Sequence, residues 1–301
     1  LQERQVLVAA MLCTAAVFGI YPLMHAVWLM ALCAALLGVA LGSVQPMIMS
    51  TLHQMTPDAR LYYASRAHSR AHAHLLFGLA QREGFIVVYP EGSSRFKQKL
   101  LTWNAGHCCG YAMERKVDDV GFIRSLIKQL IKQYPIDPAR VYVTGMSNGG
   151  MMTHRLGREL AGQVAAIAPV VATVFGDESK AGQPVSALMF NGMRDESVPY
   201  LGGAPGGRFN DAWDGTPAKP AFDQGVYWAA TNGCAKEPVK RDQAAFVHWR
   251  YACPDGRAVE LYLLKDSGHA WPGGQKGSRR GDAPGTSVNA TDLIWEFFAA
   301  I

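Results

Sequence analysis

Hydrophobic and charged positions divide the chain into two unlike parts. Residues 5–57 contain no Asp, Glu, Lys or Arg, whereas the rest of the chain has the mixed pattern of a globular domain. The uncharged part holds two apolar runs, 6–20 and 23–42, separated by Tyr21-Pro22. A helix that spans a bilayer needs about 20 apolar residues. The second run has that length and the first is shorter, so the pattern predicts a membrane hairpin, with a secretory signal peptide or a buried pair of core helices as alternatives.

From about residue 75 onward, strand and helix patterns alternate. Short, continuously apolar runs predict strands buried on both faces at 85–89, 141–144, 164–170, 185–190 and 259–264. Apolar positions at helical spacing predict helices over 75–82, 118–134, 151–160, 222–231 and 291–298. Strands that alternate with helices in this way predict an α/β fold with a mostly parallel sheet.

Residues 61–74 (LYYASRAHSRAHAH) separate the two parts and follow neither pattern. Their histidines have no acidic or Cys partners nearby that would complete a metal site. We therefore predict a surface helix or an irregular linker, and hypothesise a junction between unrelated coding segments here. The predicted organisation is a membrane-like helical segment over 1–60, a linker over 61–74 and one α/β domain over 75–301.

Composition excludes several function classes. The 301 residues include 29 Lys and Arg and 24 Asp and Glu, which gives a net charge of +5 without any long basic run. This argues against a nucleic-acid partner. Six cysteines are too few for a disulfide scaffold, and their spacing does not match a zinc site. We expect no cofactor and no bound metal.

A short motif, Gly145-x-Ser147-x-Gly149, lies between the strand predicted at 141–144 and the helix predicted at 151–160. This strand–turn–helix context is the one required of a nucleophile elbow. The glycines allow strand and helix to approach closely, and the helix N-terminus suits a developing oxyanion. Because an ordinary Gly-rich turn has the same pattern, the interpretation depends on catalytic partners elsewhere.

Two such partners follow later strands. Asp195 follows the strand at 185–190, and His269 follows the strand at 259–264, each in a loop with glycine nearby. Sites in parallel sheets form at the carboxyl ends of the strands, and Ser–Asp–His is the chain order of the α/β-hydrolase triad. In this hypothesis His269 accepts the proton of Ser147 and Asp195 orients the imidazole. The alternatives are Glu196, Asp177 and Asp266 for the acid, and His154 and His248 for the base.

The chain from about residue 75 resembles the polyhydroxybutyrate depolymerase-like and feruloyl-esterase-like branch of the α/β-hydrolases. The matching motifs are Trp103-Asn-Ala-Gly-His-Cys-Cys-Gly110, Val117-Asp-Asp-Val-Gly-Phe122, Tyr134 to Met152, Asn232-Gly-Cys234 and Gly268-His-Ala-Trp-Pro-Gly-Gly274. The resemblance implies a three-layer sandwich and hydrolysis of carboxylic esters through an acyl-serine, with Ser147, Asp195 and His269 in the roles above. It further implies that Trp271 borders the substrate site and that the protein is exported.

Cysteine usage agrees with export. Cys234 and Cys253 flank a predicted hairpin, and we expect them to form a disulfide, with two buried thiols as the alternative. For the adjacent Cys108 and Cys109 no partner can be named. We expect a monomer that acts in the extracellular space or the periplasm, with a membrane tether through residues 5–42 as a further expectation.

The sequence departs from the resembled family in its oxyanion machinery. One donor is the backbone N–H of Asn148, but the His-Gly motif that supplies the second donor does not occur in the chain. A strand expected between those at 85–89 and 141–144 is also absent from its usual place. Residues 46–53 are a weak substitute for this strand and its donor motif, because they end in His53 but are followed by Gln54 where glycine is expected. Losing one oxyanion donor lowers turnover about 10² to 10³-fold, so we expect that activity is impaired.

Residues 38–50 and 56–60 also resemble a late transmembrane helix and the following loop of a major facilitator superfamily transporter. Two helices cannot build a transport site, so transport is excluded as an activity. The predicted function is a serine esterase for polyhydroxyalkanoate or for acylated or feruloylated polysaccharide. A serine peptidase is one alternative, and a catalytically impaired fragment or fusion with a binding role is another.

Overall fold

A single eight-stranded sheet organises the part of the chain that the structure describes. The computed structural model describes residues 59–64, 70–96, 100–206, 211–277 and 281–301, all within the compact unit Ala59–Ile301. The strands are β1 (Ala59–Ala64), β2 (Phe85–Val88), β3 (Ile136–Met146), β4 (Ala166–Val170), β5 (Ser186–Gly192), β6 (Val239–Asp242), β7 (Phe246–Tyr251) and β8 (Val259–Leu264). Their order in the sheet is β2-β1-β3-β4-β5-β8-β7-β6. The first six strands in this order, β2, β1, β3, β4, β5 and β8, are parallel. The hairpin of β7 and β6 continues the sheet in antiparallel pairing.

Helices cover both faces of the sheet. They are α1 (Arg70–Glu83), α2 (Gly110–Glu114), α3 (Asp119–Gln133), α4 (Asn148–Glu159), α5 (Ala221–Asn232) and α6 (Ala290–Ala300). One core cluster packs α3, α4 and α5 on the sheet through residues such as Ile127, Leu156 and Trp228. A second cluster packs α1 and α6 on the opposite face, where the Phe298 ring stacks on Tyr142 with centroids 4.7 Å apart. The three-layer α/β architecture with a mostly parallel sheet is therefore confirmed.

The predicted elements occur with boundaries shifted by a few residues. All five predicted strands and all five predicted helices are present, and the hairpin predicted between Cys234 and Cys253 is β6–β7. The short helix α2 lies in a segment for which the sequence pattern predicts neither a helix nor a strand. Among the described residues, the structure contains no helix with the length and hydrophobicity needed to cross a bilayer.

One prediction about the fold is wrong. The strand expected to be absent between β2 and β3 is present as β1, which pairs in parallel with both neighbours. Leu61 is in register with Ile86 on one side and with Val141 on the other. The error arises because the pattern of residues 61–64 merges with that of the predicted linker. The sheet therefore retains an internal strand next to the one that leads to Ser147.

Several sequence-based expectations lie outside the described residues. These are the membrane hairpin within 5–42, the transporter-like stretch up to residue 58, and the substitute strand 46–53 with Gln54. Residues 65–69, which connect β1 to α1, also lie outside them.

Candidate active site

Ser147 lies at the junction of β3 and α4, where the chain turns sharply. Its backbone has φ of 57° and ψ of −124°, a conformation that non-glycine residues rarely adopt. A Cβ at Gly145 would overlap the backbone carbonyl of Gly149, so this close approach of strand and helix requires glycine. The N–H of Ser147 donates to the carbonyl of Val170 on β4 at 2.9 Å, which fixes the turn to the neighbouring strand.

The structure brings Ser147, His269 and Asp195 into one hydrogen-bonded chain. His269 Nε2 lies 2.8 Å from Ser147 Oγ, and His269 Nδ1 lies 2.8 Å from Asp195 Oδ2. A carboxylate only accepts hydrogen bonds, which assigns the ring proton to Nδ1. Nε2 is then free to accept the hydroxyl proton of Ser147. This is the tautomer that a general base for a serine hydroxyl needs.

Separate loops hold the acid and the histidine. Asp195 follows β5 and its side chain is fully buried. Its second oxygen, Oδ1, accepts the N–H groups of Ser197 at 2.9 Å and Val198 at 2.8 Å, which pins the carboxylate. His269 follows β8, and its own N–H donates to Asp282 Oδ2 at 2.6 Å. Sequence reasoning does not find Asp282, because nothing in the local pattern indicates that it folds back on His269.

Asn148 contributes through its backbone and through its side chain. As the first residue of α4, it presents an N–H that has no carbonyl partner within the helix, at the positive end of the helix dipole. Its side-chain Oδ1 accepts the N–H of Trp103 at 2.7 Å, and its Nδ2 donates to the carbonyl of Trp103 at 2.9 Å. This amide therefore ties the elbow to the Trp103–Cys109 loop. The sequence-based prediction concerns only the backbone of Asn148 and misses this role of the side chain.

The alternative acids are occupied or exposed. Glu196 is exposed at the surface. Asp177 lies 2.8 Å from His107. Asp266 accepts the hydroxyl and the N–H of Ser287. Of the four candidate acids, Asp195 is thus the one whose carboxylate contacts the imidazole ring of His269.

The alternative histidines are also bound elsewhere. Buried His154 accepts from Trp228 Nε1 at 2.9 Å through Nδ1 and donates to Gln224 Oε1 at 2.7 Å through Nε2. Burial lowers the pKa of His154 to about 4, against a smaller opposing effect from Gln224, which keeps the ring neutral. His248 pairs with Glu260 on the β7–β8 ladder at 2.7 Å.

Trp271 is packed in the core. Only 3% of its surface is exposed, and its indole N–H donates to Thr291 Oγ1 at 3.0 Å. Its role in substrate binding stays a prediction, and this burial does not favour it.

The expected disulfide between Cys234 and Cys253 is present. It joins the end of α5 to the residues after β7. Cys108 and Cys109 are bonded to each other. The described residues contain no group of three or more His, Cys, Asp or Glu side chains arranged to hold a metal ion.

Comparison with known proteins identifies the family. The family model described as "Esterase PHB depolymerase" matches residues 51–219, which is more than half of the chain. The chain belongs to this family. The match begins before β1 and so includes the segment for which the sequence pattern alone predicts a linker.

Two relatives that are similar in sequence are named as esterases. Feruloyl esterase B of Piromyces equi is 32% identical over 208 residues, covering 66% of this chain and 36% of that protein. A bifunctional acetylxylan esterase/xylanase of Neocallimastix patriciarum is 34% identical over 156 residues, covering 52% of this chain and 20% of that protein. The chain thus spans about a third or less of the length of these two relatives.

A solved structure shows the same fold. The acetyl xylan esterase from Aspergillus awamori matches with a TM-score of 0.54 at 14% identity, covering 82% of this chain and 90% of that one. The transporter resemblance of residues 1–60 gains no support from these matches.

Proposed function

We propose that the protein is a serine esterase that hydrolyses carboxylic esters through an acyl-serine intermediate. The observation that carries the proposal is the hydrogen-bonded chain from Ser147 through His269 to buried Asp195. Membership of the esterase family supports it independently. Since β1 is present, the loss of an internal strand is no longer a reason to expect impaired activity.

The proposed mechanism follows from the positions of these groups. Ser147 Oγ attacks the ester carbonyl carbon while its proton passes to His269 Nε2. Asp195 stabilises the imidazolium that forms, and the N–H of Asn148 donates to the oxyanion of the tetrahedral intermediate. The imidazolium then protonates the alcohol as the C–O bond breaks. A water molecule, deprotonated by His269, then attacks the acyl-serine. As the acyl C–Oγ bond breaks, the imidazolium returns this proton to Ser147 Oγ and the carboxylic acid is released.

The proposed substrates are acetyl or feruloyl esters of polysaccharides. The names of the two relatives above support this class, and polyhydroxyalkanoate is the second polymeric candidate through the family description. We further propose that the protein acts outside the cytoplasm as a monomer. The Cys234–Cys253 disulfide supports an oxidising compartment.

Labelling with a fluorophosphonate tests the proposal. The wild-type chain should become covalently labelled and should hydrolyse p-nitrophenyl acetate, whereas folded Ser147→Ala should do neither. Ser197→Ala is a matched control, because Ser197 bonds to Asp195 through its backbone N–H and not through its hydroxyl. A folded wild-type chain that resists the label would contradict the proposal. Cleavage of peptides without cleavage of esters would instead establish a peptidase.

A further inference from the structure

A second cluster of titratable side chains joins the loops at the carboxyl edge of the sheet, where Ser147 lies. His107 belongs to the loop after β2, Asp177 to the loop after β4, and Asp214 to the loop after β5. His107 Nε2 lies 2.8 Å from Asp177 Oδ2, and His107 Nδ1 lies 2.8 Å from Asp214 Oδ2. We refer to these three side chains as the His107 clasp.

Its geometry defines the protonation state of His107. A neutral imidazole has one N–H, and an ionised carboxylate cannot donate, so two short contacts to carboxylates require the imidazolium. Burial opposes protonation of the ring, but the hydrogen bonds to Asp214 and Asp177 outweigh it, and the pKa of His107 lies above its usual 6.5. Thr216 Oγ1 also lies 3.0 Å from Nδ1.

Two other charged side chains lie nearby on the packed loops. Glu178 accepts the N–H groups of Phe175 and Gly176 and so shapes the turn that carries Asp177. Lys219 packs against Gly176. Glu178 is thus already engaged by backbone donors, which leaves Asp177 and Asp214 as the carboxylates in direct contact with His107.

Backbone contacts reinforce the clasp. The N–H of Asp214 donates to the carbonyl of His107 at 3.1 Å, and Cys108 forms an antiparallel bridge with Trp213. The rings of His107 and Phe175 lie with centroids 4.8 Å apart. The loop of residues 103–109 is therefore held against both neighbouring loops through His107.

The opposite side of this loop contacts the elbow. Asn148 forms two hydrogen bonds to the backbone of Trp103, and its Nδ2 also lies 3.7 Å from Cys108 Sγ. The Asn148 side chain therefore contacts the first residue of the loop, Trp103, and a residue near its end, Cys108. A shift of the loop would move the residue whose N–H is the proposed oxyanion donor.

We propose that the His107 clasp, in its protonated form, holds the 103–109 loop against Asn148, so that His107 is a positioning residue for the oxyanion donor. The inference rests on the proposed function. Because protonation of His107 is favoured in the folded state, the clasp is complete below the pKa of His107 while both carboxylates are ionised, and it is lost as pH rises through that pKa. Since an oxyanion donor acts in the transition state, opening the clasp should lower kcat and leave KM nearly unchanged.

The test compares pH profiles of kcat and KM for p-nitrophenyl acetate. In the wild type, kcat should fall on the alkaline side. In His107→Gln this alkaline fall should disappear. Below the pKa of His107, kcat of the variant should be about tenfold under the wild-type value, less than the 10² to 10³ lost when a donor is removed, and above that pKa the two values should converge. Asp214→Asn should move the alkaline fall to lower pH, because one carboxylate that favours the imidazolium is gone. His248→Gln removes a different His–carboxylate pair on β7 and should leave the profile unchanged.

The outcomes separate this inference from the proposed function. An alkaline fall that is the same in the wild type and His107→Gln, or a change in KM with constant kcat, would overturn the positioning role. If His107→Gln does not fold, an unshifted profile in Asp214→Asn would overturn it equally. In Ser147→Ala, ¹⁵N NMR of the imidazoles should show that His107 stays doubly protonated to a pH above the ordinary imidazole pKa of about 6.5. A neutral His107 would refute the clasp whatever the activity, whereas absence of Ser147-dependent turnover would refute the esterase and not the clasp.

Discussion

At the scale of single residues, the elbow depends on backbone positions without room for a side chain. Replacing Gly145 with Ala would bring a Cβ into the carbonyl of Gly149, a backbone atom that cannot move without shifting α4. We expect Gly145→Ala to lower the free energy of unfolding by about 1–3 kcal/mol and to reduce kcat, because Ser147 follows two residues later. Urea denaturation and ester hydrolysis measure the two effects.

The matched control is Gly182→Ala. A Cβ added at Gly182, in the loop before β5, would meet no atom within 4 Å. We expect its unfolding free energy to stay within about 0.5 kcal/mol of the wild type. Equal stability of Gly145→Ala and Gly182→Ala would show that strand and helix can separate at the elbow without cost.

At the residue scale, the sequence pattern indicates which side chains lie together but not the contacts that surround them. Ser147, Asp195 and His269 each follow a strand, and the structure brings the three side chains together. The second contacts of the site are not predicted. Asn148 bonds to Trp103, 45 residues away in sequence, and Asp282 bonds to the backbone N–H of His269, 13 residues away. Neither contact is indicated by a hydrophobic period or by a sequence motif.

At the scale of elements, a buried polar chain connects α4, α5 and β5. Trp228 donates to His154, His154 to Gln224, and Gln224 to Asn191 Oδ1 at 2.9 Å. Asn191 in turn donates to the carbonyl of Ala172 after β4 at 2.9 Å. Each side chain in this series of hydrogen bonds fixes the orientation of the next. The series therefore fixes the position of α4, which follows Ser147, relative to β5, which leads to Asp195.

This polar chain predicts a pH dependence of stability. The pKa of His154 is about 4 in the folded state and 6.5 when unperturbed, so only the unfolded chain takes up the proton between these values. Stability is therefore fully present above about 6.5 and falls by roughly 3 kcal/mol as pH drops to about 4. Urea unfolding between pH 7 and about 4.5 should show a steeper loss in the wild type than in His154→Gln, which has no titrating ring. Parallel curves would contradict the assignment.

Element prediction fails at β1 for a physical reason. A central parallel strand is usually a run of β-branched and aliphatic residues. Here the apolar run is only Leu61–Ala64, and it is followed by alternating Ala, Arg, Ser and His that match neither period. Its position is set by pairing with β2 and β3, and such tertiary pairing has no local signature.

At the scale of the whole molecule, the pairing of β1 bears on where the α/β domain begins. The family match starts at residue 51, and β1 bonds to strands on both sides of it. We therefore propose a domain boundary before β1, and not at residue 75 as the sequence pattern alone suggests. An internal strand forms ladder hydrogen bonds on two edges, so its loss would leave β2 without a partner strand and β3 unpaired on the edge away from β4.

Two truncated chains test this boundary. A chain of residues 51–301 should unfold cooperatively and react with a fluorophosphonate, because it keeps every strand of the sheet. A chain of residues 75–301 lacks β1 and the first residues of α1, so we expect it to aggregate or to lack a cooperative transition, and to resist the label. The shorter chain is the informative one. If it folded and reacted at Ser147 as well as the longer chain does, β1 would be dispensable. The sheet would then have to be stable with β2 paired directly with β3.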